Sequence, residues 1–215
     1  GYVYYERQSD LRMYPASLTK IMTALLAIEA VERGELTLEE EVAAQPGFDW
    51  DMDKDGSSAN IVEGEILTVK DLLYCTLLAS ANEATNIIAA HLYGTIPGFV
   101  AKMNERAQQL GCVNTHFENP HGLDAPGHYS TARDLAVLAA YAMENPIFRK
   151  TVSTKQLMLG QRYLTNHNKL LWRVDGADGV KTGFTKAAGR ILVSSAVRND
   201  RRLVAVTLDA PDDWN

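Results

Sequence analysis

At 215 residues, with 46% hydrophobic and 22% charged residues, the chain holds enough apolar material for one sizeable core and is read as one globular domain with room for two lobes. Its formal net charge of -6, with lysines and arginines scattered rather than bunched, offers no general attraction to phosphate backbones, so nucleic acid is not an expected partner. The longest uncharged stretch, residues 87–101, is broken by Gly94, Pro97 and Gly98 and falls short of the roughly 18–20 apolar residues that span a bilayer.

The first predicted element is a short strand, YVYYE at 2–6, followed by a turn through QSD. After PASLTK at 15–20 comes a helix whose Ile21, Leu25 and Ile28 repeat on one face and which ends at RGE near Gly34. The acidic run FDWDMDKDGSSAN reads as an exposed loop. Asp51, Asp53, Asp55 and Gly56 match part of a calcium-loop signature, but the twelfth-position glutamate and flanking helices are missing, so no metal is expected. Thr68 and Asp71 predict a capping box heading VKDLLYCTLLA, and EATNIIAAHLYG supplies a second helix after Ser80-Ala81-Asn82. PGFVAKMNERAQQLG is an amphipathic helix stopped by glycine, and Thr131 with Asp134 opens ARDLAVLAAYAM, which Asn145-Pro146 ends. From Gly160 the texture becomes strand-like through QRYLTNHN and GVKTGFT. RILVSSAV and RLVAVTLD read as an antiparallel hairpin around residues 198–201. This order argues for an α+β fold, an antiparallel sheet flanked by helices with a mostly helical lobe inserted between the first strand and the later ones. Cys75 and Cys112 lack ligand spacing and read as small apolar fillers rather than a disulfide or reactive thiol.

Ser17 and Lys20 stand three residues apart, a spacing that brings hydroxyl and amine together on one helical face. Serine needs a base to become a nucleophile, and a lysine serves only if burial or nearby positive charge leaves its amine neutral. The first turn of a helix supplies partial positive charge and free N–H groups for an oxyanion. Alone, S-x-x-K is a weak signal and reads first as an ordinary helix cap and a solvated lysine. Two further clusters change the balance. Ser80-Ala81-Asn82 sets a hydroxyl and an amide between apolar helices, where burial is costly unless the groups are used or satisfied. Lys181-Thr182-Gly183 combines a cation, a hydroxyl and a residue whose missing side chain lets a ligand approach the backbone.

SLTK, SAN and KTG in this order resemble the three elements of the penicillin-recognising serine acyltransferases. Within that group the chain is similar to the low-molecular-mass penicillin-binding proteins, the serine-type D-alanyl-D-alanine carboxypeptidases, in YPASLTKIMTALLA, LLASANEATN, NTHFENPHGLD, HYSTARDLA, NHNKLLW and GVKTGFTKAAG. The likeness implies a β-lactamase/transpeptidase-like fold and a reaction without cofactor or metal. Ser17 would attack the carbonyl of the penultimate D-alanine of a peptidoglycan stem peptide, Lys20 would take its proton, and water would hydrolyse the acyl-enzyme. Ser80 would pass a proton to the leaving amine, Asn82 would orient Lys20 and the substrate amide, and Lys181, Thr182 and Gly183 would receive the terminal carboxylate. The backbone N–H groups of Ser17 and Phe184 would hold the oxyanion, each contributing roughly 3 kcal/mol. β-Lactams would acylate Ser17 as covalent inhibitors. The setting would be extracytoplasmic, with membrane contact only through segments outside this sequence. The resemblance further implies a single catalytic domain over 1–215, trimmed at both ends, without the C-terminal β domain and anchor of relatives.

Ala81 replaces the glycine many relatives carry. His167 stands where some relatives have an arginine near the substrate carboxylate, which implies carboxylate binding that titrates near neutrality, unless the ring is a strand residue facing solvent. His121 in NPHGLD is expected one layer behind the reacting groups, and His91, His116 and His128 show no metal spacing. A class A β-lactamase would need a deacylating glutamate in an E-x-x-L-N run, and Glu118 and Glu144 head different sequences. A non-catalytic peptidoglycan- or antibiotic-binding module and a transpeptidase are the remaining alternatives.

Overall fold

The computed structural model describes residues 1–49, 51–52 and 56–211. A 3-10 turn, Ala16–Thr19, runs directly into α1 (Lys20–Glu32). β1 (Glu41–Ala43) pairs antiparallel with β2 (Ile66–Thr68). Then come α2 (Val69–Leu77), α3 (Asn82–Tyr93), α4 (Ile96–Gln109), α5 (Ala132–Ala142) and α6 (Pro146–Ser153). β3 (Gln156–Leu159) and β4 (Arg162–Thr165) make a hairpin, and α7 (Leu170–Arg173) is a single turn. β5 (Ala177–Thr185), β6 (Gly189–Arg198) and β7 (Arg201–Ala210) form an antiparallel sheet in that order. The class is α+β, as expected.

α1 is the axis of the helical part. Every residue from Lys20 to Ile28 is buried, so the helix is enclosed all round rather than on the one face that its periodicity suggested. It touches α2, α3, α4, α5 and α6, and its alanines at 24, 27 and 30 let those neighbours approach closely. The sheet buries Val180, Ile191 and Val193 and packs against α5 and α6. Local signals fold as the sequence predicts. Thr68 and Asp71 form a full capping box, Thr131 accepts from the Asp134 N–H, and Gly94 ends α3 in the left-handed region at φ 71°. Asn199 and Asp200 both take positive φ, which suits a two-residue turn between twisted strands.

Three expectations change. YVYYE is not a strand: residues 1–6 have no ladder partner, Tyr2, Tyr4 and Tyr5 are exposed, and the first bridge joins Met13 to Ser130. Alternation alone cannot make a strand without a second backbone to bond. Asn145-Pro146 ends α5 but also begins α6, because Asn145 Oδ1 accepts from the N–H groups of Ile147 and Phe148 and proline suits the first helical position. β3 went unseen because its ladder depends on β4.

Both cysteines are buried and free, and burial pushes each thiol up to about 12, which leaves them inert as nucleophiles. Among the described residues, no helix is long and apolar enough to cross a membrane and no cluster could hold a metal. Asp53 and Asp55 of the calcium-loop pattern lie outside the described residues.

Candidate active site

The 3-10 turn half-exposes Ser17 while burying Lys20 completely. Lys20 Nζ lies 3.1 Å from Ser17 Oγ, 2.7 Å from Asn82 Oδ1 and 2.7 Å from the carbonyl oxygen of His121. Asn82 Oδ1 and the His121 carbonyl can only accept. A neutral amine therefore spends its two N–H bonds on them and turns its lone pair to the Ser17 hydroxyl. Burial holds Lys20 well below the usual lysine range, and the ammonium of Lys181 pushes the same way while Glu83 opposes it. Position and protonation state thus agree.

Between α2 and α3 the chain kinks at Ser80, a non-glycine residue at φ 60°. That kink lets Asn82 start α3 facing Lys20 while Ser80 Oγ accepts from Lys181 Nζ at 3.0 Å. Lys181 Nζ also donates to the Thr182 carbonyl oxygen at 2.9 Å and is buried, and this burial pushes its amine down to about 7. Lys181 Nζ is thus held beside Ser80, and Ser80 and Thr182 line the cleft next to it.

β5 runs beside the 3-10 turn so closely that a Cβ on Gly183 would sit 3.2 Å from Ser17 N and 2.9 Å from Ile191 Cδ1. Only a residue without a side chain keeps the Ser17 N–H open to the space at Phe184. Residues 119–124 form a tight loop against the 3-10 turn. Asn119 Oδ1 accepts from the Gly122 N–H at 2.7 Å and its Nδ2 donates to the Leu123 carbonyl at 2.9 Å. Gly122 has φ 96°, and a Cβ there would overlap the carbonyl oxygen of Ala16. Beneath the turn, buried His128 accepts from the Glu118 N–H through Nδ1, which leaves Nε2–H to donate to Thr19 Oγ1 at 2.8 Å. Burial, with the charges of His121 and His116, pushes its imidazole down to about 3. Thr185 Oγ1 donates to Asp124 Oδ1, joining the loop to β5 at one end of the cleft.

The resulting cleft encloses about 690 Å3, within the range of small-ligand sites. Ser17, Ser80, Asn82, Thr182 and His167 meet there, and Trp172 forms part of its rim. Lys169 and Arg190 also line it, while no aspartate or glutamate does among the described residues, although the chain as a whole is acidic. His167 is held in a loop between two buried asparagines: Asn166 Nδ2 donates to the carbonyls of Val152 and Thr154, and Asn168 Oδ1 accepts from the Leu170 N–H. It is therefore not a strand residue. The residue itself is exposed, as the solvent-facing alternative has it, and partial desolvation in the cleft with the charge of Lys181 lowers its imidazole from the ordinary histidine value.

His121 comes nearer to the chemistry than expected, because its backbone carbonyl bonds Lys20 directly. Sequence reasoning missed Glu83, whose buried carboxylate accepts from Ser58 Oγ and the Ala59 N–H, both at 2.7 Å, and so pins the 56–59 segment beside the cleft. It also missed Asp51, Asn86 and Trp172, whose partners lie far away in sequence.

The sequence model of the D-alanyl-D-alanine carboxypeptidase family matches residues 1–212. The chain is 37% identical to the D-alanyl-D-alanine carboxypeptidase DacF of Bacillus subtilis, over 98% of this chain and 54% of that protein. Among solved structures, penicillin-binding protein 5 of Haemophilus influenzae superposes with a TM-score of 0.93 at 34% identity, covering 99% of this chain and 62% of that one. The Streptomyces K15 DD-transpeptidase superposes at 0.88 with 32% identity, over 95% and 83%. The chain spans about half the length of the first curated relatives it matches. With that likeness running along the whole chain and the SLTK, SAN and KTG clusters meeting in one cleft, the chain belongs to the D-alanyl-D-alanine carboxypeptidase family.

Proposed function

We propose that this protein is a serine-type D-alanyl-D-alanine carboxypeptidase that removes the terminal D-alanine from peptidoglycan stem peptides, outside the cytoplasmic membrane, and that β-lactams acylate it at Ser17. The observation that carries the reading is the pair of carbonyl acceptors on Lys20, which leaves the amine lone pair to Ser17. Lys20 takes the hydroxyl proton as Ser17 Oγ adds to the penultimate D-alanine carbonyl, and the N–H groups of Ser17 and Phe184 receive the oxyanion. Ser80, polarised by Lys181, delivers a proton to the departing amine. The C–N bond breaks and D-alanine leaves; Lys20 passes the proton it took from Ser17 to the Ser80 oxygen and is neutral again, so it can accept a proton from the water that cleaves the ester and return it to Ser17 Oγ. Asn82 holds both Lys20 and the substrate amide, and Thr182, Gly183 and His167 receive the terminal carboxylate under the field of Lys181.

Release of D-alanine from diacetyl-Lys-D-Ala-D-Ala, absent in Ser17→Ala, is the expected result. No release from the wild type would favour a binding module. The pH profile carries a further expectation. Lys20 must be neutral, so activity falls as pH drops through its lowered pKa. Lys181 must be charged, so in the free enzyme kcat/KM for the anionic peptide falls as pH rises through about 7. A depsipeptide substrate with its carboxylate esterified should lose less on the alkaline side, measured by steady-state kinetics at constant ionic strength.

The likeness to D-alanyl-D-alanine carboxypeptidases favours slow deacylation over a β-lactamase that deacylates through glutamate. Incubation with benzylpenicillin should therefore give a mass increase of one penicilloyl group on the Ser17 peptide that persists for minutes or longer. Rapid multiple turnover of a chromogenic cephalosporin would reverse the assignment.

A further inference from the structure

We propose that Asp51, in the segment between β1 and β2, is a positioning residue for the catalytic lysine, acting through the ring of His121. The inference rests on the role given above to Lys20. The His121 side chain is buried, and each of its ring nitrogens has a set partner. Nδ1 accepts from the Leu123 N–H at 3.1 Å, so Nε2 carries the proton and donates it to Asp51 Oδ2 at 3.0 Å. The other carboxylate oxygen, Oδ1, accepts from Asn86 Nδ2 at 2.8 Å, and the same amide donates to the Phe48 carbonyl at 3.0 Å. With both partners acceptors, the Asn86 amide has only one orientation.

Asn86 lies one helical turn beyond Asn82 on α3, so the contacts close a circuit. It runs from Asn86 to Asp51, through the His121 ring to the His121 carbonyl, on to Lys20 Nζ, and back through Asn82 to α3. A ring fixed at both nitrogens fixes the peptide unit that follows it. That unit leads into Gly122, whose backbone already presses against Ala16. The direction of the His121 carbonyl, and with it one of the two acceptors that orient the lysine lone pair, thus depends on a carboxylate 70 residues away. Burial alone would raise the Asp51 carboxyl, but the hydrogen bonds from the His121 ring and the Asn86 amide together hold it below the usual range. The carboxylate is thus the form present at neutral pH.

The test compares wild type, Asp51→Ala and Asp51→Asn, which keeps an acceptor oxygen for His121. Acylation of Ser17 by a fluorescent penicillin gives the rate. The pH midpoint of Lys20 is read by NMR on protein labelled at lysine 13Cε, assigned with Lys20→Arg. Asp51→Ala is expected to slow acylation about tenfold through misplacement of the base. It should also raise the Lys20 midpoint, because a loosened loop admits water to a group whose shift comes chiefly from desolvation. Asp51→Asn should recover most of both. The proposal is overturned if a folded Asp51→Ala keeps the wild-type rate and midpoint. It is equally overturned if both variants lose only melting temperature and folded fraction while the midpoint stays put. Neither readout requires D-alanine release, so a failure of the carboxypeptidase reading would show separately in the peptide assay.

Discussion

Lys20→Met is expected to lower the rate of Ser17 acylation by about a thousandfold while leaving the fold intact, because it removes the base and little of the packing. Its effect on stability should be small at neutral pH for a side chain with three hydrogen-bonding partners. Two contributions oppose each other. Methionine strands Asn82 Oδ1 and the His121 carbonyl without a donor, a loss of about 1–3 kcal/mol for each buried acceptor. Against this, the folded protein no longer has to strip a proton from a buried lysine. In the unfolded chain that lysine holds its proton up to its ordinary pKa, and in the folded chain it does not. The unfolded state therefore binds more protons, so wild-type stability rises with pH from the lowered folded value up to about 10.5, by about 1.4 kcal/mol per pH unit for each such lysine. Lys181 contributes the same sign from about 7 upward. Urea denaturation at a series of pH values should show the steep rise in wild type and a slope smaller by one proton in Lys20→Met. Equal slopes in the two proteins would mean that Lys20 is charged in the folded state and cannot be the base.

Gly122→Ala should be the most damaging single methyl group in the cleft. The position combines a φ of 96° with a Cβ that would overlap the Ala16 carbonyl, so two backbone segments would have to separate. About 3 kcal/mol of stability, roughly 6–12 °C in melting temperature, is the expected loss. Because the displaced segments carry Ser17 and the His121 carbonyl, penicillin acylation should fall even in the fraction that remains folded. Gly34→Ala offers a comparison: the glycine there is also at positive φ, 73°, but nothing lies within 4 Å of the added carbon. It should lose stability from backbone strain alone and keep its acylation rate. A Gly122→Ala protein with normal melting and normal acylation would show that the loop can move without consequence.

Much of this site could be read from residue order. Ser17 and Lys20 are three positions apart, and a helical turn of any kind brings them together. Thr68 with Asp71 and Thr131 with Asp134 state their own helix starts, and the likeness of the SLTK, SAN and KTG clusters to a known family supplied the order in which they meet. These features are legible because the forces that make them act over a few residues or are repeated across a family. The misreadings share one cause, dependence on a distant partner. YVYYE has the alternation of a strand and pairs with no other strand. α1 shows a periodic face and yet is enclosed on every side.

Protonation states belonged to tertiary structure for the same reason. How far the amines of Lys20 and Lys181 and the imidazole of His167 are pushed down depends on desolvation and on charges from other elements, which spacing cannot express. The Asp51–His121 contact is the extreme case, since neither residue type nor local pattern distinguishes that aspartate from its neighbours in an acidic run. Sequence by itself determined which groups could react and where helices begin. Burial and long-range contact decided which proton each group holds and which way its lone pair points, because electrostatic free energy depends on three-dimensional surroundings rather than on position along the chain.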